Sequence, residues 1–90
     1  MLIKVHLYSG LQEFTNGQNV AEVHGSTVGG CLAELVKQFP GMQQELFDKN
    51  GKLSRKVLVS INLKSAYPEK LTSPVDNGDE LYLVRVIAGG

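Results

Sequence analysis

The residues of this chain that are able to do chemistry are few, and most stand in patterns that speak for packing or turns. Cys31 is the single cysteine, so it has no partner for an internal disulfide, and it lies on an apolar stripe between Val28 and Leu35. A reactive thiol needs an electropositive and accessible setting, whereas a free cysteine on a buried stripe behaves as a small hydrophobe. Cys31 is therefore expected in the core. His6 and His24 are separated by a hairpin and can approach across strands, but no carboxylate or third ligand is marked out beside them. Both read as surface histidines. Asp76, Asp79 and Glu80 lack the alternating spacing and terminal glutamate of a calcium loop, and they read as a turn. Gly29-Gly30 precedes no lysine or serine of a phosphate loop and follows no G-x-G pattern.

That leaves Gly89-Gly90. With 10 glycines in 90 residues, a pair at one chosen place has a chance of only about 1% against ordinary composition. A diglycine end carries no Cβ atoms, so it can thread a narrow channel and present its α-carboxylate to an active site on another protein. The plainer alternative is a frayed terminus.

Composition narrows the setting. A chain of 90 residues supports one domain with a modest core, which disfavours a deep enzyme pocket. Nine basic residues balance nine acidic ones, so no electrostatic case for nucleic acid arises. Polar residues interrupt Met1–Tyr8, which reads as neither a signal peptide nor a membrane span. A cytoplasmic protein holding no metal and no cofactor of its own is expected.

The elements that must position the diglycine follow from hydrophobic period. Residues 2–8 alternate, with Ile3, Val5 and Leu7 on one side and Leu2, Lys4, His6 and Tyr8 on the other, which marks a half-buried strand. Asn16-Gly17 supplies a turn before a second extended run over 19–23, giving a hairpin with a long connection. Thr27 or Ser26 then precedes Val28, Cys31, Leu32, Leu35, Val36 and Phe39, one apolar helix stripe. Gly29-Gly30 weakens its first turn and is expected to let the helix approach the sheet. Pro40-Gly41 is expected to stop the helix through a lost donor and a left-handed turn. A short helical turn over 42–47 and a polar reversal over 48–52 lead to a strand over 56–62. A looser stretch with Pro68 and Pro74 runs to the Asp76-Asn77-Gly78-Asp79 turn, and Leu81–Ile87 forms the last strand.

One helix on one face of a mixed four- to five-stranded sheet is an α+β arrangement, the β-grasp, spanning 1–87 with Ala88-Gly89-Gly90 as a tail. Ile3, Val5, Leu7, Val57, Val59, Ile61, Leu81 and Leu83 then face the helix. Alternation turns Lys4, His6, Leu58, Ser60, Tyr82, Val84 and Val86 to the open face. Leu58, Tyr82, Val84 and Val86 make that face apolar enough to expect a protein partner on it.

The order of elements carries a resemblance. Thr27-Val28-Gly29 opens the helix, Phe39-Pro40-Gly41 closes it, Asn77-Gly78-Asp79-Glu80 precedes the last strand, and the chain ends Val86-Ile87-Ala88-Gly89-Gly90. Together these resemble the MoaD/ThiS family of ubiquitin-like sulfur carriers over essentially the whole chain. The resemblance implies that an E1-like enzyme, using ATP and Mg, adenylates Gly90, with Gly89 and Ala88 as its approach. It further implies sulfur from a cysteine desulfurase or rhodanese-like protein, a thiocarboxylate on Gly90, and a downstream synthase as acceptor. On this view the chain is a protein co-substrate and not an enzyme. The tail looks like that of carriers for thiamine thiazole. The stretch 48–56 looks more like molybdopterin-synthase small subunits or carriers for protein-bound cysteine synthesis. A ubiquitin-like modifier joined through Gly90 and a plain binding module stand as alternatives.

Overall fold

The computed structural model describes residues 1–63 and 70–86. β1 (Leu2–His6), α1 (Ser9–Gln12), β2 (Val20–His24), α2 (Val28–Gln38), α3 (Gln43–Leu46), β3 (Val57–Ile61) and β4 (Glu80–Arg85) follow in that order. The four strands form one mixed sheet in the order β2-β1-β4-β3. β1 and β4 run parallel at its centre, and β2 and β3 flank them antiparallel. This is the expected β-grasp sheet, with four strands among the described residues. The last strand ends at Arg85. Ile87, Ala88, Gly89 and Gly90, and with them the 87/88 boundary, lie outside the described residues, as does Pro68.

Strand alternation sets the core. Ile3, Val5, Leu7, Val57, Val59, Leu81 and Leu83 are buried on the helix side, and Ile61 packs half-buried at their edge. α2 closes over them with Val28, Cys31, Leu32 and Leu35. Thr27 caps this helix, its side chain accepting from the Gly30 amide at 3.0 Å. The Val28 and Gly29 amides donate to the Ser73 and Leu71 carbonyls at 2.9 and 2.8 Å. Segment 70–75 thus consumes the donors that a phosphate would need at this helix start.

Three local expectations change. The connection after β1 is helical, with α1 followed by a 3₁₀ turn over Glu13–Thr15. Gly41 takes no left-handed turn: positive φ among the described glycines occurs at Gly17, Gly51 and Gly78. Pro40 instead opens a 3₁₀ turn, Pro40–Met42, where its fixed φ suits a first helical position. Gly41 is needed for space, because a Cβ there would stand 2.7 Å from the Phe14 ring. Gly29 admits the Leu71 carbonyl, 3.0 Å from where its Cβ would be, and Gly30 faces its own cap residue, so neither brings the helix to the sheet.

The close approach beneath α2 comes from Gly25, where an added Cβ would lie 2.8 Å from both the amide nitrogen and the Sγ of Cys31. The obstructing nitrogen belongs to the helix backbone and cannot swing away. Gly25→Ala is expected to cost about 1–3 kcal/mol, the usual range for overpacking, measured by chemical denaturation.

Cys31 is fully buried, and burial pushes its thiol above the ordinary range. The unfolded thiol ionises first as pH rises, so this residue lowers stability above the ordinary thiol pKa and leaves it untouched below. Cys31→Ser puts a hydroxyl among apolar neighbours and is expected to cost about 1–3 kcal/mol. Cys31→Ala should be milder and leave any activity of the tail intact. A Cys31→Ala chain that folds well and loses that activity would place the thiol in the chemistry.

Candidate docking face and tail exit

Among the described residues, no helix covers the sheet's second face. Leu58 and Val84 stand directly opposite each other across β3 and β4, 37% and 49% exposed. Tyr82 is paired with Ser60 on one side and His6 on the other. Its ring stacks on the His6 imidazole, with centroids 4.1 Å apart and planes 4° from parallel. His6 Nε2 also meets Glu80 Oε1 at 2.5 Å. Tyr82 is thereby half-buried, and Val86 likewise, while its amide donates to the Lys56 carbonyl at 2.8 Å.

The face is polarised along the strands. Lys4 pairs in register with Glu22 and Glu80, which makes the end where β4 begins charged. Leu58, Val84 and Val86 occupy the other end, where β4 runs out toward Gly90. The aromatic stack lies between them.

The predicted open-face residues are thus brought together, and the predicted tail residues Ala88, Gly89 and Gly90 fall outside the described residues. His6 and His24 do not approach one another. The antiparallel register sets His6 opposite Val20 and His24 opposite Leu2, at the two ends of the hairpin. The His6–Tyr82–Glu80 cluster was missed in the sequence because it requires the parallel β1–β4 register. Period-two alternation puts both rings on one face but does not bring them level.

The acidic turn before β4 is held from within. Asp79 accepts from the Asp76 amide at 2.8 Å and from Asn62 Nδ2 at 3.0 Å. Asn62 Oδ1 accepts from the Glu80 amide, so the loop after β3 and the start of β4 are tied together. Asn77 Oδ1 accepts from the Leu2 amide at 2.8 Å, and the Gly78 amide donates to the Leu2 carbonyl at 3.0 Å. These carboxylates and amides fix the register of β1 against β4.

Residues 5–90 match the model of the ThiS family. This chain belongs to that family. Its members are small ubiquitin-like sulfur carriers and not catalysts themselves, and no helix among the described residues is long and apolar enough to cross a membrane. The sulfur carrier protein CysO of Mycobacterium tuberculosis is 27% identical to it over 93 residues, covering all of both chains. Among solved structures, SAMP1 from Haloferax volcanii superposes with a TM-score of 0.84 at 27% identity over the whole of both chains. The Amycolatopsis orientalis BexX/CysO complex contains a chain that superposes at 0.83 with 26% identity, covering 98% of this ThiS-family chain and 99% of that one. A CysO of this fold is thus seen assembled with a protein partner.

Proposed function

We propose that this ThiS-family chain carries sulfur on Gly90. A carboxylate is a poor acyl donor, because its negative charge repels nucleophiles and it lacks a leaving group. An E1-like partner, using ATP and Mg, converts the Gly90 carboxylate to an acyl-adenylate and releases pyrophosphate. A persulfide from a cysteine desulfurase or rhodanese-like protein then attacks the acyl carbon and expels AMP. Thiol reduction of the resulting acyl disulfide leaves a thiocarboxylate, which a downstream synthase takes up. The carrier supplies the acyl end and a docking surface.

The observation that carries this reading is the polarity of the open face: its apolar end, Leu58, Val84 and Val86, is the end from which β4 leads to Gly90. A partner seated there lies beside Val86, the described residue from which the sequence continues to Gly90. Of the thiazole, molybdopterin and cysteine branches, the full-length similarity to CysO favours cysteine synthesis. The test is intact-protein mass spectrometry after incubation with the E1-like enzyme, ATP and a persulfide donor. A mass gain equal to the exchange of oxygen for sulfur on the C-terminal peptide is expected, and an unmodified Gly90 overturns the reading.

The likeness to a small archaeal modifier protein favours one second reading, a modifier joined to lysines through the same activated glycine. An isopeptide bond from Gly90 to another protein, with no thiocarboxylate, would establish it.

A further inference from the structure

Leu63 is held in a conformation that suits other residues better. Its φ is 58°, beside Asn62 at 55°, and it is 65% exposed. A left-handed backbone sets Cβ too close to the following carbonyl oxygen, a strain that glycine escapes and asparagine tolerates but a bulky side chain does not. Asn62 has a local reason for its conformation. Its amide donates to the Glu80 carbonyl, its Nδ2 donates to Asp79, and its Oδ1 accepts from the Glu80 amide. Leu63 has no such bond among the described residues and buries little of itself. Glycine would relieve the backbone and asparagine would bear it, so the domain's own packing does not account for a leucine here.

The surroundings of Leu63 point to what it meets. The two carboxylate oxygens of Asp79 hold Asn62 on one side, at 3.0 Å, and the Asp76 amide on the other, at 2.8 Å, so Leu63 and Asp76 flank one turn. Asp76 is exposed, and its carboxylate has no hydrogen bond or ion pair among the described residues. The neighbouring charges are engaged: His6 meets Glu80, and Lys4 stands in register between Glu22 and Glu80. Across the turn the exposed Leu2 is tied by its carbonyl to the Gly78 amide and by its amide to Asn77. Two exposed leucines thus bracket a turn whose free charge is negative. A second copy seated here would set one acidic turn against another, and like charges across an interface oppose that. A basic surface is the complement.

Interface size brings this end of the sheet into contact with the partner expected at the other. A stable interface takes about 800 Å² from each side, a patch roughly 28 Å across. Leu58, Val84 and Val86 supply only part of that area, and the six residues of β4 span about 20 Å. A partner seated on the open face at its tail end therefore reaches Leu63.

We propose that Leu63 is an apolar anchor for the activating enzyme, seated in a pocket of that enzyme beside a lysine or arginine that meets Asp76. Unlike ends, apolar at Val86 and acidic beside Leu63, then fix which way round the carrier docks. The enzyme as partner rests on the sulfur-carrier reading; the strain at Leu63 does not.

The experiment pairs the stability of the full-length chain with its affinity for the E1-like enzyme, read by titration calorimetry. Leu63→Gly relieves the backbone, so the unfolding equilibrium constant is expected to fall roughly two- to ten-fold. Its Kd is expected to rise about tenfold or more, the effect of losing one buried leucine. Leu63→Asn suits a left-handed backbone without loosening the turn, and it is expected to bind as weakly. Asp76→Asn is expected to flatten the dependence of Kd on salt. A gain of stability with a loss of binding is not what a leucine packed within its own domain produces. A Leu63→Gly chain less stable than the parent overturns the proposal, as does Leu63→Asn binding as tightly as the parent or a salt dependence that Asp76→Asn leaves unmoved. Adenylation assayed on the same samples keeps two failures apart. A parent adenylated normally, with Leu63→Gly bound undiminished, removes the anchor alone, whereas a parent that is bound but not adenylated removes the sulfur-carrier reading.

Discussion

Deleting Gly90 is expected to abolish adenylation by the proposed E1-like partner and to leave the unfolding midpoint of the domain where it was. The two halves of this result have separate causes. Among the described residues the buried core runs from Ile3 to Leu83 and so precedes the tail in sequence. Removing Gly90 leaves every one of those core residues in place. The chemical cost is of another order. Without Gly90 the terminal carboxylate belongs to Gly89, about 3.5 Å short of its former reach. A misplacement of about 1 Å at a reacting centre already costs up to 10²-fold, so a whole residue should bring pyrophosphate exchange below detection. Pyrophosphate exchange and thermal unfolding on the same preparation measure both halves. A deletion that unfolds the domain would show the tail to be structural, and exchange that survives the deletion would place activation elsewhere.

The second large effect is expected on the open face. Val84→Asp sets a carboxylate at the centre of the apolar end, where a seated partner must strip its water without offering a counter-charge. Tyr82→Ala removes the aromatic member of the stack on His6, and truncating a central aromatic anchor commonly costs more than about 1 kcal/mol. Each substitution is expected to weaken binding to the adenylating enzyme at least about tenfold, with Val84→Asp the stronger. Stability should change little, since Val84 is 49% exposed and Tyr82 is half-buried on a face that no described helix covers. Titration calorimetry beside thermal unfolding separates the two readouts. The competing occupant is a second copy of the chain. Sedimentation of the parent at rising concentration tests it, and a dimer abolished by Val84→Asp would assign the patch to self-association. Enzyme binding that survives both substitutions would move the interface to the tail.

How much of this was legible in the sequence depends on the range of the interaction that decided each feature. The helix stripe from Val28 to Leu35 and its Thr27 cap are local, and they appear in the structure where period and capping chemistry put them. The two faces of the sheet follow from alternation, a local rule as well. Gly10 to Thr15 misled because glycine and threonine are poor helix formers, and tertiary packing of Leu11 and Phe14 overrode that propensity. Gly41 misled in another way. The sequence shows a glycine after a proline, but the need for it is set by the Phe14 ring, far off along the chain. The His6–Tyr82 stack depends on the parallel β1–β4 pairing, which joins residues 76 positions apart. Spacing along one chain does not encode such a register. It is fixed by the Asn77 and Gly78 contacts to Leu2, which emerge only when the ends are brought together.

The place of β4 at the centre of the sheet also bears on how the protein is made. Among the described strands it is the last to be synthesised, and the β1–β2 hairpin joins β3 only through it. Until it is released, the earlier strands have no central partner to assemble on, and their pairing must wait on a contact of long sequence separation. A chain cut short of Leu83 therefore lacks the strand on which β1 and β3 both pair, and it is expected to stay open to proteolysis.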